Sequence, residues 1–221
     1  MNILVLDGAL ARCSAAAFAD GVLVAEEVAE GARTQPTALP PMAERMLRRL
    51  ARLDAVAVVV GPGGFTGLRA TIALAEGLAL GAGARLIGVT TGEALAAALP
   101  PSLRQARAVW SAVDTRRGRL VLERLEPGAW HAAAPPRPMA AEDLPRPKGP
   151  VVLVGDAAAQ AAAILLARGA DALLTEALLP LASAAGQVAL RRLAGGVPPR
   201  NATPLYVEPP AVRPPACRPS A

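Results

Sequence analysis

The sequence predicts an α/β fold, because two segments, residues 55–80 and residues 151–168, each have the pattern of a strand, a turn and a helix. Residues 55–60 form a short apolar, β-branched run typical of a buried strand, and residues 70–80 form an Ala- and Leu-rich run long enough for a helix. A glycine-rich turn, residues 61–69, joins them. Residues 151–168 repeat the order of strand, turn and helix. This alternation indicates an α/β protein.

The first hundred residues supply the remaining elements of one sheet. Residues 2–6 read as a buried strand ending on Asp7, and two further strands meet at Asp20-Gly21, a strong hairpin signal. A strand at 85–89 follows the glycine turn and its helix. Thr90 or Thr91 then caps a helix in which Glu93 lies in the first turn. Between hairpin and glycine turn, apolar residues recur at helical spacing and predict an amphipathic helix: Leu39, Met42, Met46 and Leu50.

The glycine turn is the candidate binding element. Its glycines suit positive φ and close backbone approach, and Thr66 is placed to cap the following helix. Free N–H groups at a helix start can bind an anion. The turn lacks the lysine of a Walker A loop and the third glycine of a dinucleotide fingerprint. Anion binding and a purely structural sharp turn therefore both stay open. The candidate residues are Asp7, Gly61, Gly63, Gly64, Thr66 and Gly67.

The helix after the turn is apolar on nearly all sides and so needs covering on more than one side. Ala73, Gly77 and Gly81 fall four residues apart and form a ridge of small side chains that lets another helix approach closely. We predict a dimerisation or partner surface built from this ridge and from the helix of Leu39, Met42, Met46 and Leu50. The alternative is that the two helices pack on one another within the chain.

The second half of the chain predicts a smaller lobe. Strands at 106–113 and 120–125 flank a hairpin tip rich in arginine, for which an RNA or phosphate contact and a solvated tip are alternatives. A short strand at 129–133, a proline-rich connector at 135–150 and an edge strand at 205–207 follow. The predicted organisation is an N-terminal lobe at 1–103, a C-terminal lobe at 104–208 and a proline-rich tail at 209–221.

The amino-acid composition limits the kinds of binding site that the chain can form. The net charge of +5 favours acidic partners but is more often a solvated surface. Cys13 and Cys217 make neither a disulfide framework nor a zinc site, and the single histidine, His131, rules out metal binding by paired histidines. No signal peptide or membrane span is recognisable. We expect a soluble, cytoplasmic protein with no membrane association, no catalytic residue and no metal ligand.

The segment 61–69, Gly-Pro-Gly-Gly-Phe-Thr-Gly-Leu-Arg, resembles the signature of the TsaB (YeaZ) family in the actin-like, sugar-kinase-like superfamily. The order of the other sequence segments also matches that family, from residues 3–7 near the start to residues 204–207 near the end. Asp7-Gly8 fits the phosphate-binding turn of that superfamily, but Ala9 and Leu10 stand where a hydroxyl residue is expected. Gln35-Pro36 replaces a His-Ser or His-Ala pair. Asp114 and Arg116 match an Asp-Ala-Arg motif, whereas Arg119 occupies a position that is commonly acidic.

The resemblance implies an actin-like (ribonuclease H-like), two-lobed fold with mixed sheets and flanking helices. It also implies a non-catalytic subunit of the bacterial tRNA threonylcarbamoyladenosine complex, which pairs with TsaD and TsaE and modifies the adenosine next to the anticodon. ATP and metal are then expected on the partners, no cofactor on this chain, and a homodimer in isolation. The alternatives are a small actin-like ATPase or phosphotransferase and, less favoured, a glycoprotease-like peptidase.

Overall fold

A computed structural model describes residues 1–31 and 34–207 of the 221-residue chain. The predicted proline-rich tail at 209–221, with Cys217, lies outside the described residues. Two five-stranded mixed sheets form the framework, and helices pack against them. Among the helices of the described residues, none combines the length and the apolar character needed to cross a membrane.

The first sheet contains the N-terminal strands in the order β3-β2-β1-β4-β5. β1 pairs antiparallel with β2 and parallel with β4, so it lies at the centre of the sheet. All of its residues are buried, as expected for an uninterrupted apolar run. The strands are β1 (Ile3–Asp7), β2 (Arg12–Ala19), β3 (Val22–Glu30), β4 (Ala55–Val59) and β5 (Arg85–Val89).

Two helices cover one face of this sheet, and a helix from the end of the chain covers the other. α1 (Gln35–Leu47) and α2 (Phe65–Ala82) pack on each other and on the central strands. α3 (Thr91–Ala97) follows β5. The opposite face receives the C-terminal helix α6 (Ala182–Leu193), which contacts β1, β2, β4 and β5.

The alternation of side chains along β2 separates these two faces. Phe18 packs against Gly186 of α6, where an added Cβ would overlap the aromatic ring. Ser14 accepts a hydrogen bond from the Ala182 backbone N–H at 2.9 Å. Cys13 lies on the other face, beside Thr34 next to α1. The predicted C-terminal lobe at 104–208 thus includes a helix that completes the N-terminal sheet, and the lobe boundary at residue 103 stays a prediction.

The second sheet has the order β10-β9-β6-β7-β8. Its helices include the short α4 before it and α5 on one side. The elements are α4 (Pro101–Ala106), β6 (Ala108–Asp114), β7 (Leu120–Leu125), β8 (Arg137–Met139), a single 3-10 turn (Ala141–Asp143), β9 (Val151–Val154), α5 (Ala158–Ala167) and β10 (Ala172–Leu174).

Two sequence predictions about this half of the chain were wrong. Residues 129–133 are bends and irregular backbone, and the strand instead forms at β8, inside the segment predicted to be a connector. Residues 205–207 form no strand, although the Leu205 N–H donates to the Val60 carbonyl at 2.8 Å. Both differences arise because strand formation here depends on pairing with β7 or β4 rather than on local composition.

Candidate functional site at the glycine turn

The turn after β1 and the glycine turn after β4 interlock. The Gly64 N–H donates to the Ala9 carbonyl at 2.7 Å. An added Cβ at Gly63 would overlap that same carbonyl, so only glycine permits this approach. At Gly61 the backbone has φ +105°, which also favours glycine. The two strand ends of the sheet are therefore locked together by backbone contact.

Gln35 fills the space between the two turns. It is only 3% exposed, and its Nε2 donates to the Leu10 carbonyl at 3.0 Å. Added Cβ atoms at Gly8 and Gly67 would both contact it. The sequence resemblance marked this position as the one where family members carry histidine. The structure shows what the glutamine does here: it holds the first turn of α1 against both loops.

A second set of contacts holds the glycine turn from the side of α3. The Thr91 N–H donates to the Gly61 carbonyl at 2.9 Å, and the Thr91 hydroxyl donates to the Pro62 carbonyl at 2.6 Å. Within α2, the Thr71 hydroxyl donates to the Gly67 carbonyl at 2.8 Å. The chain itself thus engages the carbonyl groups of Gly61, Pro62 and Gly67, in addition to the N–H of Gly64.

The predicted role of Thr66 as the cap of α2 was wrong. Gly64 is the N-cap residue, the helix begins at Phe65, and no side chain caps it. Thr66 is exposed within the first turn. The reason is that docking of Gly63 and Gly64 on Ala9 fixes an extended conformation at Gly64, and the helix starts directly after it.

Asp7 lies at the base of the interlocked turns and is fully buried. Its Oδ1 accepts a hydrogen bond from the Ala9 N–H at 3.1 Å, while Oδ2 has no partner in the structure. Burial raises the pKa of Asp7 to about 7, and the hydrogen bond from the Ala9 N–H and the positive charge of Arg12 offset only part of this effect. Asp7 is therefore a group that exchanges a proton near neutral pH.

The predicted partner residues divide into two groups. Leu39, Met42 and Met46 are 1%, 3% and 2% exposed and lie in the chain's own core, so their side chains offer no surface to a partner. Leu50 is half-buried. The ridge on α2 is different, because its members lie on the outer surface: Ala73, Gly77 and Gly81. The alternative of packing between the two helices accounts for the α1 side chains, while the ridge on α2 stays uncovered.

Behind the site, a buried ion pair joins α3 to α6. Arg192 Nη2 lies 2.8 Å from Glu93 Oε1, with the two side chains 4% and 0% exposed. Glu93 and Thr90 also form a reciprocal capping box, which confirms the predicted cap of α3. Sequence reasoning missed the partner, Arg192, since nothing local to residue 192 signals it.

A second buried carboxylate, Glu123 on β7, binds the start of α3. It accepts hydrogen bonds from the Thr90 hydroxyl at 2.8 Å and from the Gly92 N–H at 3.1 Å. Burial and the nearby charge of Glu93 raise the pKa of Glu123 to about 7. This carboxylate couples the second sheet to the first, and sequence reasoning missed it as well.

The hairpin tip at 114–119 holds ion pairs rather than free charge at its centre. Arg116 contacts Asp114 at 3.2 Å and Asp156 at 3.0 Å. Arg119, at the position that resembles an acidic one in the family, donates to the Pro138 carbonyl at 3.1 Å. Arg116 and Arg119 therefore contact the chain itself, and an RNA or phosphate contact at the tip stays a prediction.

The fold and this site define an actin-like, two-lobed α/β protein. Its first sheet bears a carboxylate turn and a glycine turn locked together at the strand ends.

Comparison with known proteins gives a family match and two curated relatives. The family model described as "TsaD: tRNA N6-adenosine threonylcarbamoyltransferase" matches residues 29–164. The chain is 37% identical over 139 residues to the Escherichia coli K12 protein named tRNA threonylcarbamoyladenosine biosynthesis protein TsaB, and 35% identical over 121 residues to the Haemophilus influenzae protein of the same name. The matched segments cover 59% and 52% of this chain and 59% and 50% of those relatives.

Among solved structures, the chain is similar to a Pseudomonas aeruginosa protein described as uncharacterized with similarity to peptidase YEAZ. The TM-score is 0.79 at 24% identity, and the match covers 94% of this chain and 99% of that one. This likeness shows the shared fold. The family match, together with the curated relatives named TsaB, places the chain in the TsaB (YeaZ) family.

Proposed function

We propose that the chain acts in the biosynthesis of threonylcarbamoyladenosine in tRNA, as a non-catalytic subunit of a cytoplasmic threonylcarbamoyltransferase complex with TsaD and TsaE. The observation that carries this proposal is family membership: the matched relatives bear that pathway in their names, and the matched family model describes the transferase. In this proposal tRNA is the substrate of the complex, and ATP and metal are bound by the partner subunits.

The locked turns support a scaffold role. In an anion site at a helix start, free N–H groups face the ligand. Here the Gly64 N–H donates to Ala9, and Gln35 occupies the space between the turns. The chain itself thus takes up one of the N–H donors and part of the space that a phosphate would need.

The outer face of α2 supports docking of a partner helix. Added Cβ atoms at Gly77 and Gly81 would meet nothing within 4 Å, and the neighbouring Leu80 is 85% exposed. A surface with small residues beside a large apolar one lets a partner backbone approach closely and bury Leu80. We propose that this face binds TsaD, and that it joins two copies of the chain when the partner is absent.

Depletion of the protein tests the pathway. Nucleoside mass spectrometry of tRNA from depleted cells is expected to show loss of threonylcarbamoyladenosine, restored by the wild-type chain. An unchanged level would refute the pathway assignment. ATP turnover by the purified chain without partners would then support the alternative of a small ATPase.

The variant Gly77→Leu tests the docking face. The site has open space, and replacing a helical glycine removes a propensity cost of about 1 kcal/mol, so the fold is retained. The added side chain should prevent close approach and weaken binding to TsaD about tenfold or more, as measured by calorimetry. Gly149→Leu is the matched control, because Gly149 also has no atom within 4 Å of an added Cβ but lies in a loop before β9. Equal affinity of both variants would exclude the α2 face.

A further inference from the structure

Trp130 lies between two arginines that come from distant parts of the chain. The guanidinium carbon of Arg104, in α4, is 3.6 Å from the centroid of the Trp130 ring, and that of Arg191, near the end of α6, is 3.5 Å from it. Two guanidinium groups this close to one centroid must occupy opposite faces of the ring. The three side chains therefore form one stack, which we call the Arg–Trp–Arg stack.

The stack has no counter-charge among residues 1–31 and 34–207. Neither arginine forms an ion pair there, and Arg191 donates only to the Gln187 carbonyl of its own helix, at 3.4 Å. Arg104 is only 7% exposed. Its Nε and Nη1 atoms are buried, and neither has a hydrogen-bond partner. Burial and the neighbouring charge of Arg191 lower the pKa of Arg104. A buried guanidinium that stays charged is costly unless an acceptor satisfies it.

Several arginines elsewhere in the described residues pair with a carboxylate. Arg45 pairs with Glu27, Arg48 with Glu44, Arg52 with Asp54, Arg107 with Asp171 and Arg116 with Asp156. The stack lacks such a carboxylate, although the indole holds both guanidinium groups in fixed orientations. Fixed forks of N–H donors without an acceptor match the geometry of a phosphate-type oxoanion.

We propose that Arg104, Trp130 and Arg191 form a binding site for a phosphate-type oxoanion at the rim of the indole. Arg191 is exposed and gives the anion access, and Arg104 supplies the inner donors. Resting on the proposed function, the anion is a backbone phosphate of the tRNA. Both ring faces are covered by the guanidinium groups, so the tryptophan positions these groups and does not stack on a base.

Binding of a fluorescently labelled tRNA transcript to the full chain, followed by anisotropy over a range of salt concentrations, tests the site. Arg191→Gln should raise Kd about tenfold, as expected for loss of a charge-assisted hydrogen bond, and reduce the salt slope by about 1. Arg48→Gln is the matched control, because it removes the same charge from an exposed position at the C-terminal end of α1. It should change Kd by about twofold at most. Equal effects of the two variants on Kd would overturn the site, and so would an Arg191→Gln variant that binds both tRNA and inorganic pyrophosphate as the wild type does.

Two further measurements keep the proposal testable. Arg104→Gln, with thermal unfolding to establish that it folds, should weaken binding as Arg191→Gln does. Inorganic pyrophosphate should displace the tRNA from the wild-type chain. If pyrophosphate stabilises the wild type but not Arg191→Gln, while tRNA binding is the same for both proteins, the source of the anion is a free phosphate compound and the RNA assignment is wrong. Because these are binding measurements on the purified chain, they are independent of whether depletion removes the modified nucleoside.

Discussion

Removal of the Arg192 charge should destabilise the whole chain. In Arg192→Met the carboxylate of Glu93 stays buried at 1% exposure without its cation. Breaking a buried pair from one side costs about 3–5 kcal/mol, because the remaining charge is uncompensated. For a domain of this size each kcal/mol lowers Tm by about 2–4 °C, so a fall of roughly 6–20 °C is expected.

A double-mutant cycle separates the ion pair from the other contacts of Arg192. The guanidinium also donates to the Gly88 and Pro198 carbonyls, both at 2.6 Å, and these bonds are lost in every variant that lacks it. In Glu93→Gln the side chain can still accept the hydrogen bond from the Thr90 N–H. The double variant removes both charges. Its loss of unfolding free energy should therefore be smaller, by about 2 kcal/mol or more, than the summed losses of the two single variants.

Urea unfolding of the four proteins, followed by circular dichroism, gives these free energies. Additive effects, within about 0.5 kcal/mol, would show that the two charges do not interact. A loss below about 1 kcal/mol in Arg192→Met would refute the reasoning that the pair is desolvated.

Two more predictions concern the locked turns. Gly63→Ala should lower the free energy of unfolding by about 1–3 kcal/mol, because its Cβ overlaps the Ala9 carbonyl. In Gly64→Ala the Cβ lies 3.8 Å from that oxygen, so its stability should stay within about 0.5 kcal/mol of wild type. Equal denaturation midpoints of the two variants would contradict this prediction. Asp7 holds its proton more tightly in the folded state, with a pKa of about 7 against 3.8, so stability should fall as pH rises from about 4 to 7 and then level off. Asp7→Asn should remove part of this fall, a few kcal/mol at about 1.4 kcal/mol per pKa unit. An unchanged pH profile of unfolding would show that Asp7 does not titrate there. Burial also raises the pKa values of Glu123 and Asp156, and these two groups contribute to the remainder.

Local sequence was sufficient for the central elements of the first sheet. The apolar run of β4, the glycine turn and the long helix α2 follow from short-range patterning, and the capping box of α3 follows from Thr90 and Glu93 alone. These features depend on residues within a few positions of one another. The predicted α/β, actin-like architecture was confirmed for the same reason, since the order of the elements follows from such local signals.

The site itself depends on contacts that sequence spacing does not reveal. The start of α2 is set by Ala9, more than fifty positions away, and this is why Thr66 is not a cap. Gln35 gains its role only when α1 closes over both turns. The Arg–Trp–Arg stack combines residues from α4, a bend and α6, and no periodicity connects them.

The placement of α6 on the first sheet has a consequence for folding during synthesis. The strands of that sheet are complete at Val89, but the face that Phe18 presents stays uncovered until Gly186 and its helix have emerged. At about 5–20 residues per second, the ribosome leaves this apolar face exposed for several seconds while the second sheet is made. The first sheet can therefore bury that face only after α6 has been synthesised, so its final packing follows the synthesis of the second sheet.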